Sequence, residues 1–399
     1  TIAGHSRYLW SAEIYQQANH YGRYLTHGSI QVTGPAGGGK GGYSQEGWDW
    51  CHIPGTTAAV LPMEKMKANV LNVDDKSGYE EMLLSDEWFA GGVTHKGQSG
   101  AFAMKLHEHD KYNGSLRARK SFFTFENRVI CLGSDIENSL EGAPVHTTLL
   151  QHYTGGFEMS ASYVSEDRKI IRNNLWDVYF IKDGNVRYSH ELQHSLHEET
   201  DAPTEGIFEK AYIDHGDVIT DGRYEYMVLM SNKDNYKMLL DTLAIEAYAE
   251  NLPYRVIRHD RSVHGVEDLP SGTRAYAVFE KDRVDSLVTD CSPAMLMYTT
   301  DGKTMTLSVS NPDLALYEGP SDEVYDENGK RKERSVYSRS WIDNPCGETT
   351  VTLTIDGVWA IADRNGCNVR ADYRQGATTL TFRSTEARTE EIKLKKTRL

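Results

Sequence analysis

The chain has 399 residues, 39% of them apolar and 25% charged, which is enough to bury one to three cores and too apolar for a disordered polymer. Its formal net charge of −15 makes nucleic acid a poor partner for the molecule as a whole, since phosphate binding needs a basic field. No apolar run reaches the roughly 18 residues that a spanning helix needs, so no membrane is expected as a partner either.

From the N-terminus, Gly4-His5-Ser6-Arg7-Tyr8-Leu9-Trp10 and Asn19-His20-Tyr21-Gly22-Arg23-Tyr24 interleave arginine with aromatic rings. Guanidinium for the charge and rings for the pyranose suit a groove for an acidic sugar, although an amphipathic segment reads the same way. Gly34 to Gly41 nearly spells a phosphate-binding loop. Gly41 stands where Ser or Thr should reach magnesium, however, and no apolar helix follows. A Gly-rich loop presenting Lys40 to a sulfate or carboxylate is expected instead. Gly47 to Met63 reads GWDWCHIPGTTAAVLPM, with Trp48 and Trp50 flanking an Asp ahead of the Pro54-Gly55 turn. Rings beside a carboxylate suit stacking on sugars, and the same composition also suits indoles that plug a β core. His107-Glu108-His109-Asp110 reads as a solvated polar run at an edge or turn.

Turn signals dominate the rest. Asp-Gly or Asn-Gly pairs stand at 113–114, 183–184, 221–222, 301–302, 328–329, 356–357 and 365–366, several between alternating apolar residues, as tight hairpins require. Met295–Thr299, Thr304–Ser310 and Thr379–Phe382 read as strands, as do the alternating Val351, Leu353 and Ile355. His190-Glu191-Leu192-Gln193-His194 matches the zinc-protease pattern, which works only on a helix. On a strand the two imidazoles stand roughly 13 Å apart, and the flanks favour a strand. Tyr236–Ala249 is the one helical segment, stopped at Asn251-Leu252-Pro253. The charged stretch His259–Pro270 suggests a boundary. The expected architecture is mainly β: a large antiparallel sheet-on-sheet unit over 1–262 and a smaller sandwich over 263–399. Five cysteines, an odd count without a CxxC pair, indicate neither a disulfide framework nor a zinc site.

Several blocks in one order carry a family resemblance. Gly47-Trp48-Asp49-Trp50, then Gly55-Thr56-Thr57, then Leu61-Pro62 resembles the chondroitin sulfate ABC lyases of polysaccharide lyase family 8. Arg119–Phe123, Asn127–Ile136, His146–Gln151, Thr204–Gly206, Ile213–His215 and Tyr224–Val228 follow in that family's order. The resemblance runs from about residue 4 to the C-terminus.

It implies a central β supersandwich followed by a C-terminal β-sandwich, and a glycosaminoglycan lyase that works by β-elimination at a uronic acid. The expected partner is an acidic polysaccharide, with no metal or organic cofactor, and the expected location is secreted or periplasmic. The family's α/α toroid, which carries its catalytic His and Tyr, has no counterpart here. The chain starts at Thr1 without a Met, so it is expected to be the C-terminal portion of an enzyme whose N-terminal toroid lies upstream. Arg7 matches the family's catalytic Arg. Lys96, before Gly97-Gln98, stands where the family carries a Glu. It is expected to enter a strand and face the cleft, with Arg23, Trp48, Trp50 and Lys40 as substrate contacts. A non-catalytic carbohydrate-binding protein of the same descent is the alternative, and a zinc hydrolase using His190, Glu191 and His194 is a third reading.

Overall fold

The computed structural model describes residues 1–4, 17–33, 41–70, 74–76, 85–109, 112–155, 162–320 and 334–397, with positions 322, 325, 327–329 and 332. Among these, the chain folds mainly as β-structure in four stacked sheets. The outermost has four strands, in the order Val186–Leu196, Pro203–Asp214, Val145–Tyr153 and Thr57–Ala59. Beneath it lies an eight-stranded sheet: Ala90–His95, Ser99–His107, Arg117–Phe125, Arg128–Asn138, Ile219–Leu229, Val178–Asp183, Ile170–Arg172 and Tyr163–Val164. A seven-stranded sheet starting at Tyr254–His259 and a four-stranded one starting at Val288–Cys291 complete the stack. The long pairings are antiparallel throughout.

Side-chain patterning explains the layering. Arg128–Asn138 opens with seven buried residues in a row and shows no alternation there, because its sheet is covered on both faces. One face sends Phe122, Cys131 and Tyr226 against Leu150, Ala211 and Ile213 of the outer sheet. The other sends Phe123, Ile130, Leu132 and Met227 against Val266, Ala275, Met295 and Met297 of the seven-stranded sheet. A third core joins Tyr276, Leu296 and Leu307 to Leu353, Leu380 and Phe382. Full burial of each Leu, Phe or Met contributes about 1.5–3 kcal/mol, so these cores fix the stack.

Three expectations shift. Tyr254–His259 pairs with Val263–Asp268, so the second sandwich begins at Tyr254, directly after the Asn251–Pro253 break; the charged stretch after His259 is a hairpin inside it. The helix divides into Tyr236–Leu239 and Thr242–Glu250, because Asp241 turns extended and its carboxylate caps the Leu243 N–H at 3.0 Å. Asp221-Gly222 makes no hairpin. It lies within the strand Ile219–Leu229 at a register shift, where a Cβ on Gly222 would stand 2.9 Å from Ile136 Cβ.

Candidate functional site

Residues 47–56 form a wedge on the outer face of the four-stranded sheet. Gly47 has φ 81°, and a Cβ there would lie 2.3 Å from the Gly206 nitrogen, so only glycine lets the chain press onto the strand Pro203–Asp214. Trp48 then packs edge-on to Tyr43 and Phe208, with ring centres 4.9 and 5.9 Å away, and Trp50 meets Tyr21 at 6.5 Å. The two indoles are only 5% and 2% exposed. This corrects the expectation of an open sugar-stacking face: with rings on several sides, the indoles are the core of a satellite cluster.

Asp49, between them, is a quarter exposed and holds the polar side of the wedge. It accepts from Lys210 Nζ at 2.9 Å and from His52 Nδ1 at 2.7 Å, while its N–H donates to Gln151 Oε1. Burial alone would push its carboxyl up, but the charges and hydrogen bonds of His52 and Lys210 hold it well below the usual carboxylate range. His52 Nε2 lies 2.8 Å from His146 Nδ1, and His146 stacks on Tyr212 with centroids 4.1 Å apart. His146 Nε2 is in turn 3.8 Å from Asp214 Oδ1. Burial, reinforced by His52, lowers His146 to about 4. His146 Nδ1 and His52 Nε2 face each other across their 2.8 Å contact, and His52 Nδ1 faces the Asp49 carboxylate. Two carboxylates and two imidazoles thus form one row able to hold and move protons, with the Tyr212 ring stacked against it.

A second polar row lies deeper. Thr147 Oγ1 meets His215 Nε2 at 2.9 Å and Thr57 Oγ1 at 2.8 Å; Lys120 Nζ donates to Thr57 Oγ1 and the Gly55 carbonyl. Lys120 is fully buried, and burial drives its ammonium well below the usual lysine range.

Arg23 also departs from expectation. It is fully buried, and its guanidinium lies 3.9 Å over the Tyr112 ring. It donates to Tyr24 Oη and the Lys65 carbonyl, with Nε 3.4 Å from Glu108 Oε1. It therefore anchors the interior instead of lining a groove. Glu108 is likewise buried, not solvated, and burial lifts its carboxyl to about 7 against the opposing pull of Arg23.

A cavity of about 510 Å³ opens beside the wedge, bounded by Trp48, Trp50, Leu149, His152, Tyr179 and Val228. At its rim Glu198 Oε2 accepts from Asn19 Nδ2 at 3.0 Å and from Tyr43 Oη at 3.4 Å. Trp50 Nε1, buried in its wall, has no hydrogen-bond partner among the described residues. A space of this size, mostly apolar with few polar groups, suits a small ligand or the end of a larger one.

Lys96 sits apart from all this. It occupies an exposed hairpin turn with Gly97, both with positive φ (52° and 65°), and its N–H donates to Glu391 Oε2 at 2.8 Å. The turn leans on the second sandwich, whereas Trp48 lies outside the outermost sheet, at least one inter-sheet spacing of about 10 Å away. Lys96 thus does not share a cleft with the aromatic wedge. Arg7 and Lys40 lie outside the described residues. His190 and His194 fall on the strand Val186–Leu196, so the zinc-protease geometry is absent there; His190 bonds Thr154 and His194 faces Glu205. Among the described residues no group of three His, Cys, Asp or Glu could hold a metal ion.

The row of Asp49, His52, His146 and Asp214, with Lys210 and Tyr212 against it, carried no sequence signal as a unit. Its members are spread over about 160 positions and meet only through strand register.

The super-sandwich domain of polysaccharide lyase family 8 matches residues 1–237. A chondroitin sulfate ABC exolyase of Bacteroides thetaiotaomicron is 40% identical over 407 residues, covering 98% of this chain and 39% of that protein. A chondroitin sulfate ABC exolyase of Proteus vulgaris is 37% identical over 376 residues, covering 90% of this chain and 36% of that protein. The chain therefore spans less than two-fifths of the length of these relatives. In fold it is similar to a chondroitin AC lyase of Streptomyces coelicolor (TM-score 0.73, 18% identity, 99% of this chain and 47% of that one). It is also similar to a Paenibacillus xanthan lyase (TM-score 0.69, 16% identity, 100% of this chain and 36% of that one). With stacked antiparallel sheets, the wedge at 47–56 and a family match over more than half its length, this chain belongs to polysaccharide lyase family 8.

Proposed function

We propose that this chain is the β portion of a secreted or periplasmic glycosaminoglycan lyase that cleaves a chondroitin- or dermatan-sulfate-type polymer by β-elimination at the uronic acid. The observation that carries this reading is the 40% identity to a chondroitin sulfate ABC exolyase over 98% of the chain. The reaction removes the weakly acidic C5 proton and expels the 4-linked sugar, so the uronate charge must be neutralised before a base can act. In this reading Arg7 supplies a guanidinium near the leaving oxygen, and the proton-transferring His and Tyr come from a helical toroid domain that precedes this portion.

The test uses the protein with its helical domain, incubated with chondroitin sulfate and followed by the ultraviolet absorbance of the C4–C5 double bond. Turnover that falls at least a hundredfold in Arg7→Ala, with folding intact, supports the reading; undiminished turnover in that variant removes Arg7 from it. The alternative is a carbohydrate-binding protein of the same descent without catalysis. Absence of unsaturated product from the longer protein, with glycan binding retained, would decide for it.

A further inference from the structure

The seven-stranded sheet carries a cavity of about 480 Å³ lined by four arginines, Arg255, Arg258, Arg274 and Arg283, together with Asp285 and Ser286. Four guanidiniums around one opening stand out in a chain whose net charge is −15. We propose that this is a second saccharide site, which takes an oxyanion, a sulfate ester or a uronate, of an acidic oligosaccharide. The choice of a saccharide rests on the lyase reading above; the oxyanion chemistry does not.

The arginines come from three places. Arg255 and Arg258 lie on Tyr254–His259, the edge strand of the sheet, at a register irregularity between Val256 and Arg258. Charge and a bulge on an edge strand also block unwanted strand pairing, and that alone would account for these two. It does not account for Arg274, on the interior strand Thr273–Val278, or for Arg283, on the connection between that strand and Val288–Cys291. Both are directed at the cavity by one buried hub. Asp285, with a side chain 4% exposed, accepts from the hydroxyls of Tyr276 and Tyr298 and pairs with Arg274 Nη1 at 3.4 Å. Its carbonyl accepts from Arg283 Nε at 2.9 Å.

The carboxylates that steady the other guanidiniums sit behind them. Glu267 binds Arg255 and Arg274; Asp260 and Asp282 bind Arg258. None of these three lines the cavity. The pairs nearly cancel in charge, so long-range attraction is weak and recognition rests on donors. Among the described residues, exposed Arg283 uses only Nε, which leaves both terminal nitrogens open to a ligand, and Arg255 engages only one terminal nitrogen. Guanidiniums already fixed by carboxylates lose little entropy on binding a sulfate or carboxylate in the planar fork they favour. The site lies on the second sandwich, away from the wedge at 47–56. It therefore suits a distal stretch of a polymer, not the bond being cut.

The experiment titrates the 399-residue chain with a size-defined sulfated chondroitin hexasaccharide, with unsulfated neutral oligosaccharide, and with inorganic sulfate, by calorimetry at two salt concentrations. Arg255→Ala/Arg283→Ala spares the Asp285 hub, and an unchanged melting temperature verifies its fold. The proposal expects hexasaccharide binding to weaken about tenfold or more in that variant, with a flatter salt dependence. It expects the same component to persist in Arg7→Ala, which separates it from the proposed catalytic cleft. Equal binding by parent and double variant, or no binding by the parent, overturns it. Inorganic sulfate binding as tightly as the hexasaccharide overturns the saccharide part. Neither result touches the lyase reading, which the product assay judges separately.

Discussion

Replacing Arg23 by Met is expected to be among the most damaging single changes in the first sandwich. The guanidinium is fully buried, lies 3.9 Å over Tyr112, and opposes buried Glu108 at 3.4 Å. Removing one partner of a buried ion pair leaves the other uncompensated, a loss of about 3–5 kcal/mol. For a unit of this size that is a melting shift of roughly 6–20 °C. The loss depends on pH. Burial lifts Glu108 from 4.5 to about 7. Below pH 4.5 the carboxyl is protonated in both folded and unfolded chains; between 4.5 and 7 only the folded chain keeps the proton, so that contribution to stability disappears as pH rises through 7. Without Arg23 the carboxyl is harder still to ionise, so Arg23→Met should cost more at pH 8 than at pH 5. Arg23→Met/Glu108→Leu removes both charges and should recover at least about 2 kcal/mol relative to the sum of the single changes. Urea unfolding followed by tryptophan fluorescence measures all of these. A loss below about 1 kcal/mol, or strict additivity in the double variant, would refute the pairing.

Three further outcomes are expected. Gly47→Ala forces a Cβ to 2.3 Å from the Gly206 nitrogen at φ 81°, and should cost at least about 2 kcal/mol by urea unfolding; parent-like stability would contradict the wedge. Burial lowers His95, His146, His152 and His215 to about 4, so each contributes stability above pH 6.5 that is lost as pH falls toward 4. Glu108 and Glu209, raised to about 7 by burial, act in the opposite sense between pH 7 and 4.5. The four imidazoles outweigh the two carboxyls, so the urea midpoint should fall from pH 7 to pH 4.5, and a midpoint that rises would contradict the burial of these rings. Because His190 and His194 lie on a strand, added zinc should leave the melting temperature unchanged and bind without fixed stoichiometry; one tightly bound zinc per chain would overturn that geometry.

Much of the stack was legible from local rules. Thr304–Ser310 was read to the residue, and Asp301-Gly302 and Asp356-Gly357 turn with positive φ at glycine, as such pairs do. Asp221-Gly222 misled because its glycine serves close packing against Ile136 at a register shift, not the positive φ of a turn. The site was less legible. Indoles that stack on sugar and indoles that pack a satellite core have the same spacing, and only Tyr43, Phe208 and Tyr21 closing around them decides. Glu108 looked solvated among charged neighbours, yet it sits directly after a strand whose end is buried, which carries its carboxyl inward to Arg23. Lys96 shows the limit of motif register: its position before Gly97-Gln98 was read as a cleft, and the chain makes a turn there.

The most direct measurement is complementation. Residues 1–399 alone, and the same chain together with the helical toroid domain proposed to precede it, are each incubated with chondroitin sulfate, and the C4–C5 double bond is followed by ultraviolet absorbance. A β portion that lacks the proton-transferring His and Tyr predicts no product from the chain alone and steady product once the helical domain is present. Robust product from residues 1–399 by themselves, or none from the two together, would contradict it.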